Sequence, residues 1–369
     1  MMDKIKNFVK SETVLVISAI AAIATIPFSP PSPKYISYID FRVLCLLFCL
    51  MAVVKGFQKI GIFEVVSQKF VSGASNTRGL CLSLILLCFF SSMLITNDVA
   101  LITFVPFSIL VLELTGQTEH LITVTVLQTI AANLGSMLTP VGNPQNLYLY
   151  TFYGMGIPEF IKITLPISAV SLILIIISAL FIRGNNINVE FKEKMKISSK
   201  KRLFLSIFLF AMCLLSVFHI LNHFILLAII LVGIFISDKK IFKELDYGLL
   251  ATFVCFFIFV GNLSQISAVK SALSSLISGN ELIWSIILSQ FISNVPAAVL
   301  LSGFTENGKA LLLGTNIGGL GSLVASLASL ISYKLYIKEP SAKPGKYLLV
   351  FTALNILILL PLTIIALIF

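Results

Sequence analysis

Apolar segments recur from residue 13 to Phe369, separated by short polar connectors, and many are long enough to cross a bilayer. About 20 apolar residues of helix cover a hydrocarbon core of roughly 30 Å. Inside that core every backbone N–H and C=O must be paired within the protein, so the chain can cross only as helices or as a closed barrel. Only 11% of the residues are charged and 58% are hydrophobic, whereas a soluble domain carries about a quarter charged. These features predict an all-α polytopic membrane protein in the cytoplasmic (inner) membrane.

Crossing helices are expected near 13–28, 40–55, 120–150 (interrupted), 164–182, 203–220, 223–237, 246–262, 309–333 (interrupted) and 347–368. Two further apolar stretches, 80–115 and 282–303, each hold a polar break, Thr96-Asn97-Asp98 and Ser293-Asn294-Val295-Pro296. At least one limb of each is read as too short to span, so both are expected to be re-entrant hairpins, tolerated where they are buried in protein or line water. With a cytoplasmic N-terminus this scheme places 21 Lys and Arg residues inside and five outside, with an external C-terminus. Counting either hairpin as a single crossing would weaken that bias, and retention of basic residues in cytoplasmic loops is the rule. The leader MMDKIKNFVK before the first apolar run is read as the start of a retained span rather than a cleaved signal.

The net charge of +10 sits in the connectors, without the interleaved aromatics of a nucleic-acid surface, so no nucleic-acid partner is expected. All six cysteines lie inside apolar runs with no metal or redox spacing, and read as small core residues. The domain division read from the sequence is a first span plus N-terminal repeat over 1–182, a basic cytoplasmic loop over 183–202 and a C-terminal repeat over 203–369.

The repeat itself is visible in three ordered blocks. Asp40, Leu44, Cys49 and Val54 recur as Asp246, Leu250, Cys255 and Val260 at an offset of 206. Ile95-Thr96-Asn97 recurs as Ile292-Ser293-Asn294 at 197, and Asn133, Gly135, Val141 and Leu147 recur as Asn316, Gly318, Val324 and Leu330 at 183. An odd number of crossings separates the two units, which predicts two inverted structural repeats with the site at their interface.

Chemistry is expected at the breaks. In Asn133-Leu-Gly135-Ser-Met-Leu-Thr139-Pro140-Val-Gly142-Asn143-Pro-Gln145-Asn146, two prolines remove donors and two glycines loosen the backbone, so the helix must unwind. Freed carbonyls can coordinate a cation, and half-helix N-termini can face an anion. The counterpart, Gly314-Thr315-Asn316-Ile-Gly318-Gly-Leu-Gly-Ser322, reaches the same outcome through four glycines. Asp98 is the sharpest single residue, because an intramembrane carboxylate is costly and marks a proton, cation or substrate site by default; a structural alternative is a cap on the turn after the break. Glu113 reads as a solvated end charge. The candidate binding residues are therefore Thr96, Asn97, Asp98, Asn133, Gly135, Thr139, Pro140, Gly142, Asn143, Gln145, Asn146, Ser293, Asn294, Pro296, Thr315, Asn316 and Gly318, with Na⁺ placed at Asn97, Asp98, Asn133, Asn294 and Asn316.

At Thr96-Asn97-Asp98, Asn133 to Asn146, Asp246-Tyr-Gly-Leu-Leu, Ser293 to Pro296 and Gly314 to Gly319 the chain resembles the ion transporter superfamily of arsenite-efflux permeases, sodium/proton antiporters, citrate permeases and divalent-anion/sodium symporters. The resemblance implies a homodimeric secondary transporter with an elevator-type transport domain, no organic cofactor, and Na⁺ or H⁺ as coupling ion. The third tip position is Asp98 in one hairpin and Val295 in the other, which departs from the Ser-Asn-Thr tips of the divalent-anion symporters and lies closer to the arsenite and sodium/proton branches. The expected function is movement of a small anion or oxyacid, carboxylate- or arsenite-like, with Na⁺/H⁺ antiport as the alternative. A passive channel is a remoter one. An intramembrane enzyme is not expected, since His120, His219 and His223 form no metalloprotease pair and Asp98 is the only deep carboxylate.

Overall fold

The computed structural model describes residues 12–187 and 194–369. Residues 1–11, with the basic leader and Lys4, Lys6 and Lys10, and residues 188–193, with Lys192 of the basic loop, lie outside the described residues. Among the described residues β-pairing is confined to an isolated bridge between Asn76 and Asn186.

Two helices, α1 (Thr13–Ala24) and α2 (Lys34–Tyr38), precede a first unit of α3 (Phe41–Ile60), α4 (Ile62–Val71), α5 (Thr77–Ile95), α6 (Asn97–Leu114), α7 (Leu121–Ser136), α8 (Pro144–Phe152) and α9 (Ile157–Leu180). After α10 (Lys200–Val217) and α11 (His223–Asp238) a second unit follows: α12 (Tyr247–Gln265), α13 (Ser267–Ile277), α14 (Glu281–Ile292), α15 (Asn294–Ser302), α16 (Gly308–Gly318), α17 (Leu327–Tyr336) and α18 (Pro344–Ile368). Each unit runs in the same order: a spanning helix, a short helix, two helices joined at a single residue, a broken helix and a long helix. The repeat begins at Phe41 and Tyr247, so α10 and α11 belong to neither copy, and both pack on α3.

Local geometry repeats with the order. Asp40 accepts the Val43 N–H at 3.0 Å and Asp246 accepts the Leu249 N–H at 2.8 Å, each capping its spanning helix. The hairpin tips share an unusual backbone, Thr96 at φ 67 and ψ 148 and Ser293 at φ 73 and ψ 154. Non-glycine residues are strained there, and such strain persists where the surroundings over-determine it. The tip asparagines then bond in the same way: Asn97 Oδ1 accepts the Asp98 N–H at 2.9 Å, and Asn294 Oδ1 accepts the Val295 N–H at 3.0 Å.

Both pairs are closed at their bases, which makes them hairpins. Thr77, at the start of α5, donates to Gln117 just beyond α6 at 3.0 Å; Thr305, just beyond α15, donates to Glu281 at the start of α14 at 3.3 Å. The limbs differ from the expectation for the first hairpin. α5 and α6 have 19 and 18 residues, and each is long and apolar enough to cross a membrane by itself. The Asn76 cap starts α5 at Thr77, ahead of the apolar run, and Pro106 is absorbed within α6 without ending it. The second hairpin has short limbs of 12 and 9 residues, as expected.

Six described helices have the length and composition of membrane spans, namely α3, α5, α6, α9, α12 and α18, while α13 and α14 meet at 108°. The first apolar run yields a helix of only 12 residues, α1, because the turns over 25–29 end it ahead of the prolines; it lies along α12. The short helices α4 and α13 escaped the sequence reading. Phe63, Val66, Ser67, Phe70 and Val71 recur at the spacing of one helical face, a pattern hidden by the neighbouring Lys and Ser. The basic loop is not a free tail where described, since Asn185 accepts the Thr77 N–H at 2.8 Å and Ile60 accepts the Ser198 N–H at 3.0 Å.

In the interior α5 lies along α7, and α14 along α16, at glycine contacts. A Cβ on Gly135 would overlap the Phe89 carbonyl, and one on Gly318 would fall 2.8 Å from Ser289 Oγ. The units also exchange partners: α6 of the first hairpin packs on α17, and α15 of the second packs on α8. The outward faces of α9, α10, α11 and α18 keep large apolar side chains exposed, as a lipid-facing surface requires. The cysteines are free and buried or half-buried, packed as small apolar residues.

Candidate functional site

The two hairpin tips and the two helix breaks are joined by buried asparagines. α7 ends at Ser136, Pro140 to Gly142 form a short 3₁₀ turn, and Pro144 starts α8 at a position where its missing N–H costs nothing. Asn133 sits in the last turn of α7. Its Oδ1 accepts from Asn97 Nδ2 at 2.8 Å and from the Ser326 hydroxyl at 3.0 Å, and its Nδ2 donates to the Gly319 carbonyl at 3.4 Å. Asn146, in α8, donates to the Ser136 and Thr139 carbonyls at 3.1 and 3.3 Å while its Oδ1 accepts from Asn316 Nδ2 at 2.7 Å. The Asn294 N–H donates to the Ala325 carbonyl at 2.9 Å. Each tip is thus tied to a break, and each break to the other unit.

The repeat extends to single hydrogen bonds. Thr139 Oγ1 donates to the Met93 carbonyl, and Ser322 Oγ, 183 residues later, donates to the carbonyl of Gln290, which is 197 residues after Met93, at 2.9 Å. In both units the loop leaving the break is pinned to the last turn of the first hairpin limb.

A cavity of about 210 Å³ opens onto this centre. Thr96, Asp98, Asn143 and Pro144 line its inner end, and Lys55, Gln58 and Glu244 its mouth. Asp98 is half-buried with Oδ1 withdrawn from the surface and without a hydrogen-bond partner. It is not a cap: its side chain makes no bond to the turn that follows Thr96. Asn143 Oδ1, Asn316 Oδ1 and both amide atoms of Gln145 are likewise buried and unpartnered, an unusual density of unmet polar atoms. Asn143 Nδ2 is held by Ser136 Oγ.

Of the residues read as Na⁺ ligands, Asp98 and Asn316 keep a free side-chain oxygen, whereas the Asn97, Asn133 and Asn294 oxygens already accept protein donors. Several other candidates serve the framework. Thr315 donates to Leu311 within its own helix at 2.8 Å, Gly135 and Gly318 are helix contacts, Gly142 lies against the Ser136 backbone, Pro140 starts a 3₁₀ turn, and Pro296 lies in the first turn of α15. Ser293 forms its tip and turns its hydroxyl toward the Ala325 carbonyl at 3.4 Å.

The mouth was missed by sequence reading. Lys55 is one of the 21 basic residues that the charge bias places inside, and in the structure it lines the cavity and pairs with Glu244 at 3.5 Å. Lys59 binds Glu244 at 2.6 Å and Asp238 at 3.3 Å, and its hydrogen bond holds the Glu244 carboxyl below the usual carboxylate range. Asp246, read from the sequence as part of the repeat and of the family resemblance, also lines the cavity. Among the described residues no group of His, Cys, Asp and Glu has the arrangement of a transition-metal centre.

The profile of the citrate transporter family matches residues 2–307 of this chain. The chain belongs to the citrate transporter family. It is similar to the uncharacterized transporter MJ0456 of Methanocaldococcus jannaschii, with 33% identity over 84% of this chain and 85% of that one. It is also similar to the inner membrane protein YbiR of Escherichia coli, with 30% identity over 80% of each. A more distant likeness, 26% identity over 42% of this chain and 28% of the other, links it to the putative transporter arsB of Dictyostelium discoideum. Among solved structures, the YdaH transporter of Alcanivorax borkumensis superposes with a TM-score of 0.59 over 90% of this chain and 86% of that one, at 13% identity, and so shares its fold. The protein is a multi-pass membrane transporter and not an enzyme.

Proposed function

We propose that the transporter moves a small oxyacid or carboxylate that reaches Asp98 through the 210 Å³ cavity, coupled to a Na⁺ or H⁺ gradient. The observation that carries this reading is the unpartnered Asp98 carboxylate oxygen at the inner end of that cavity, beside Asn143. A carboxylate left without partners inside a membrane protein is expensive, and occupancy by a proton or cation relieves that cost.

The charges on the wall narrow the substrate. Among the described residues Lys55 is the only basic one lining the cavity, against Asp98, Asp246 and Glu244, and it is already engaged with Glu244. A free multivalent anion would meet net repulsion. A neutral oxyacid, or a carboxylate that enters with its own cations, would not. Asn143 and Thr96 supply neutral hydrogen-bonding groups suited to either. Motion would follow the packing: the hairpins and broken helices, bonded across units, shift as one body against α3 and α12, and the cavity lies along the seam between them. Na⁺/H⁺ antiport is the second reading, favoured by the asymmetry of Asp98 against Val295 at the tips.

Counterflow into proteoliposomes separates the two. Vesicles preloaded with citrate, succinate or arsenite are diluted into the labelled compound with an imposed Na⁺ or pH gradient. Accumulation of one of these above its external level, driven by one gradient, is the expected result. Na⁺-driven proton movement with no accumulation of any oxyacid would transfer the assignment to antiport.

A further inference from the structure

A second cavity, of about 520 Å³, lies at the other end of α12. Its lining repeats that of the first. Val54 and Gln58 of α3 line the first cavity, and the residues 206 later, Val260 and Ser264 of α12, line the second. Ile102 of the first hairpin has Val299 as its counterpart 197 residues later, again one in each cavity. The ends are exchanged: the first cavity is made by the end of α3 with the start of α12, and the second by the end of α12 with Tyr38, just before α3. From Leu249 in the first to Val260 in the second is about 16 Å along the helix axis.

The two cavities differ in how they are closed. Lys55 and Glu244 at the first mouth are a partly exposed ion pair. The residues at the corresponding positions of the second are Gly261 and Tyr38, and the Tyr38 ring lies so close on Gly261 that an added Cβ would fall inside it. Deeper in, Tyr148 OH and Ser302 Oγ are hydrogen-bonded at 2.7 Å, and the Tyr148 ring packs 5.7 Å from that of Phe257. The first cavity reaches its hairpin tip at Thr96 and Asp98, whereas the second stops at this aromatic layer, short of Ser293 and Asn294.

We propose that the second cavity is the substrate route from the opposite membrane face, shut in this conformation by the Tyr148–Ser302 layer, and that Tyr38 seated on Gly261 is the side chain that holds it shut. The inference rests on the first cavity being the substrate route. Ser264, Ser302 and Glu306 in its lining give the second cavity the polar groups that a water-filled vestibule needs and a lipid-filled crevice would not.

Cysteine accessibility in the full-length chain, with the six natural cysteines replaced, tests this. Gln58→Cys and Ser264→Cys are treated with a membrane-impermeant charged maleimide in intact cells and in inverted vesicles. The two are expected to react from opposite faces. With Val260→Cys as the reporter, Tyr38→Ala is expected to speed modification about tenfold by shifting the population toward the open route, and Tyr38→Phe, which keeps the ring, to leave the rate unchanged. Reaction of both mouth cysteines from the same face would overturn the proposal. So would a Val260→Cys rate indifferent to Tyr38→Ala, or labelling of Ser264→Cys only by a lipid-soluble maleimide. A Gln58→Cys that reacts from neither face, beside a reactive Ser264→Cys, would instead strike the reading of the first cavity.

Discussion

Asp98→Asn is expected to abolish gradient-driven accumulation in proteoliposomes, reducing it to the level of protein-free vesicles, while leaving the protein folded. The two halves of this result come from one observation. The carboxylate accepts no hydrogen bond through its buried Oδ1 and caps no helix, so an amide of the same shape removes no structural contact. What it removes is the only charge at the hairpin tip, and with it the site's ability to hold a proton or cation in one half of the cycle. Glu244→Gln at the cavity mouth is the control. It loses partly exposed ion pairs with Lys55 and Lys59, which contribute little, and should leave the gradient coupling intact. If Asp98→Asn instead lost its thermal stability, a structural role for the carboxylate would follow.

Gly135→Ala is expected to abolish folding, observed as loss of monodisperse protein after detergent extraction. The added methyl would overlap the Phe89 carbonyl and lie 2.8 Å from Ser92 Oγ, where α5 rests on α7. Backbone stands on the far side, so no rotamer change makes room. Overpacking of this kind ordinarily costs about 1–3 kcal/mol when side chains can yield, and here the main chain would have to move. The same displacement would pull Asn133, two residues earlier, away from Asn97 and Ser326. Gly73→Ala, which meets no atom within 4 Å, is the matched neutral substitution and should change the thermal midpoint little.

The sequence carried the membrane class, the order of the repeat and both breaks, because each depends on local physics. Pro140 and Pro144 interrupt a helix wherever they stand, and a twenty-residue apolar run has few other destinations. Thr96 and Ser293, aligned at an offset of 197 through the identical Ile and Asn on either side, share a strained backbone. What the sequence could not reveal depends on distant packing. Lys55 reads as an interfacial lysine until α3 is laid beside residues 244–249, nearly two hundred residues away. Gly135 and Gly318 read as helix looseners, and only the neighbouring helices α5 and α14 identify them as contact points. Which asparagine oxygens remain free was beyond pattern reading too, since Asn97, Asn133 and Asn294 have the same chemistry as Asn316 and differ only in their partners. The first hairpin's limbs are longer than the sequence suggests for a local reason: the polar start of α5, capped by Asn76, reads as connector but is helical.

In the proposed function a coupling ion and substrate meet at Asp98 inside the first cavity. The most direct measurement is the thermal midpoint of the purified transporter in NaCl against choline chloride at two pH values, with and without citrate, succinate and arsenite, for the wild type and Asp98→Asn. A ligand that prefers the native state raises the midpoint by about RT ln(1 + [L]/Kd) expressed as stability. One oxyacid is expected to stabilise the wild type, the gain depending on Na⁺ or on acid pH, and this dependence is expected to disappear in Asp98→Asn. A stabilising oxyacid whose effect is identical in the two proteins under every ionic condition would contradict the proposed function.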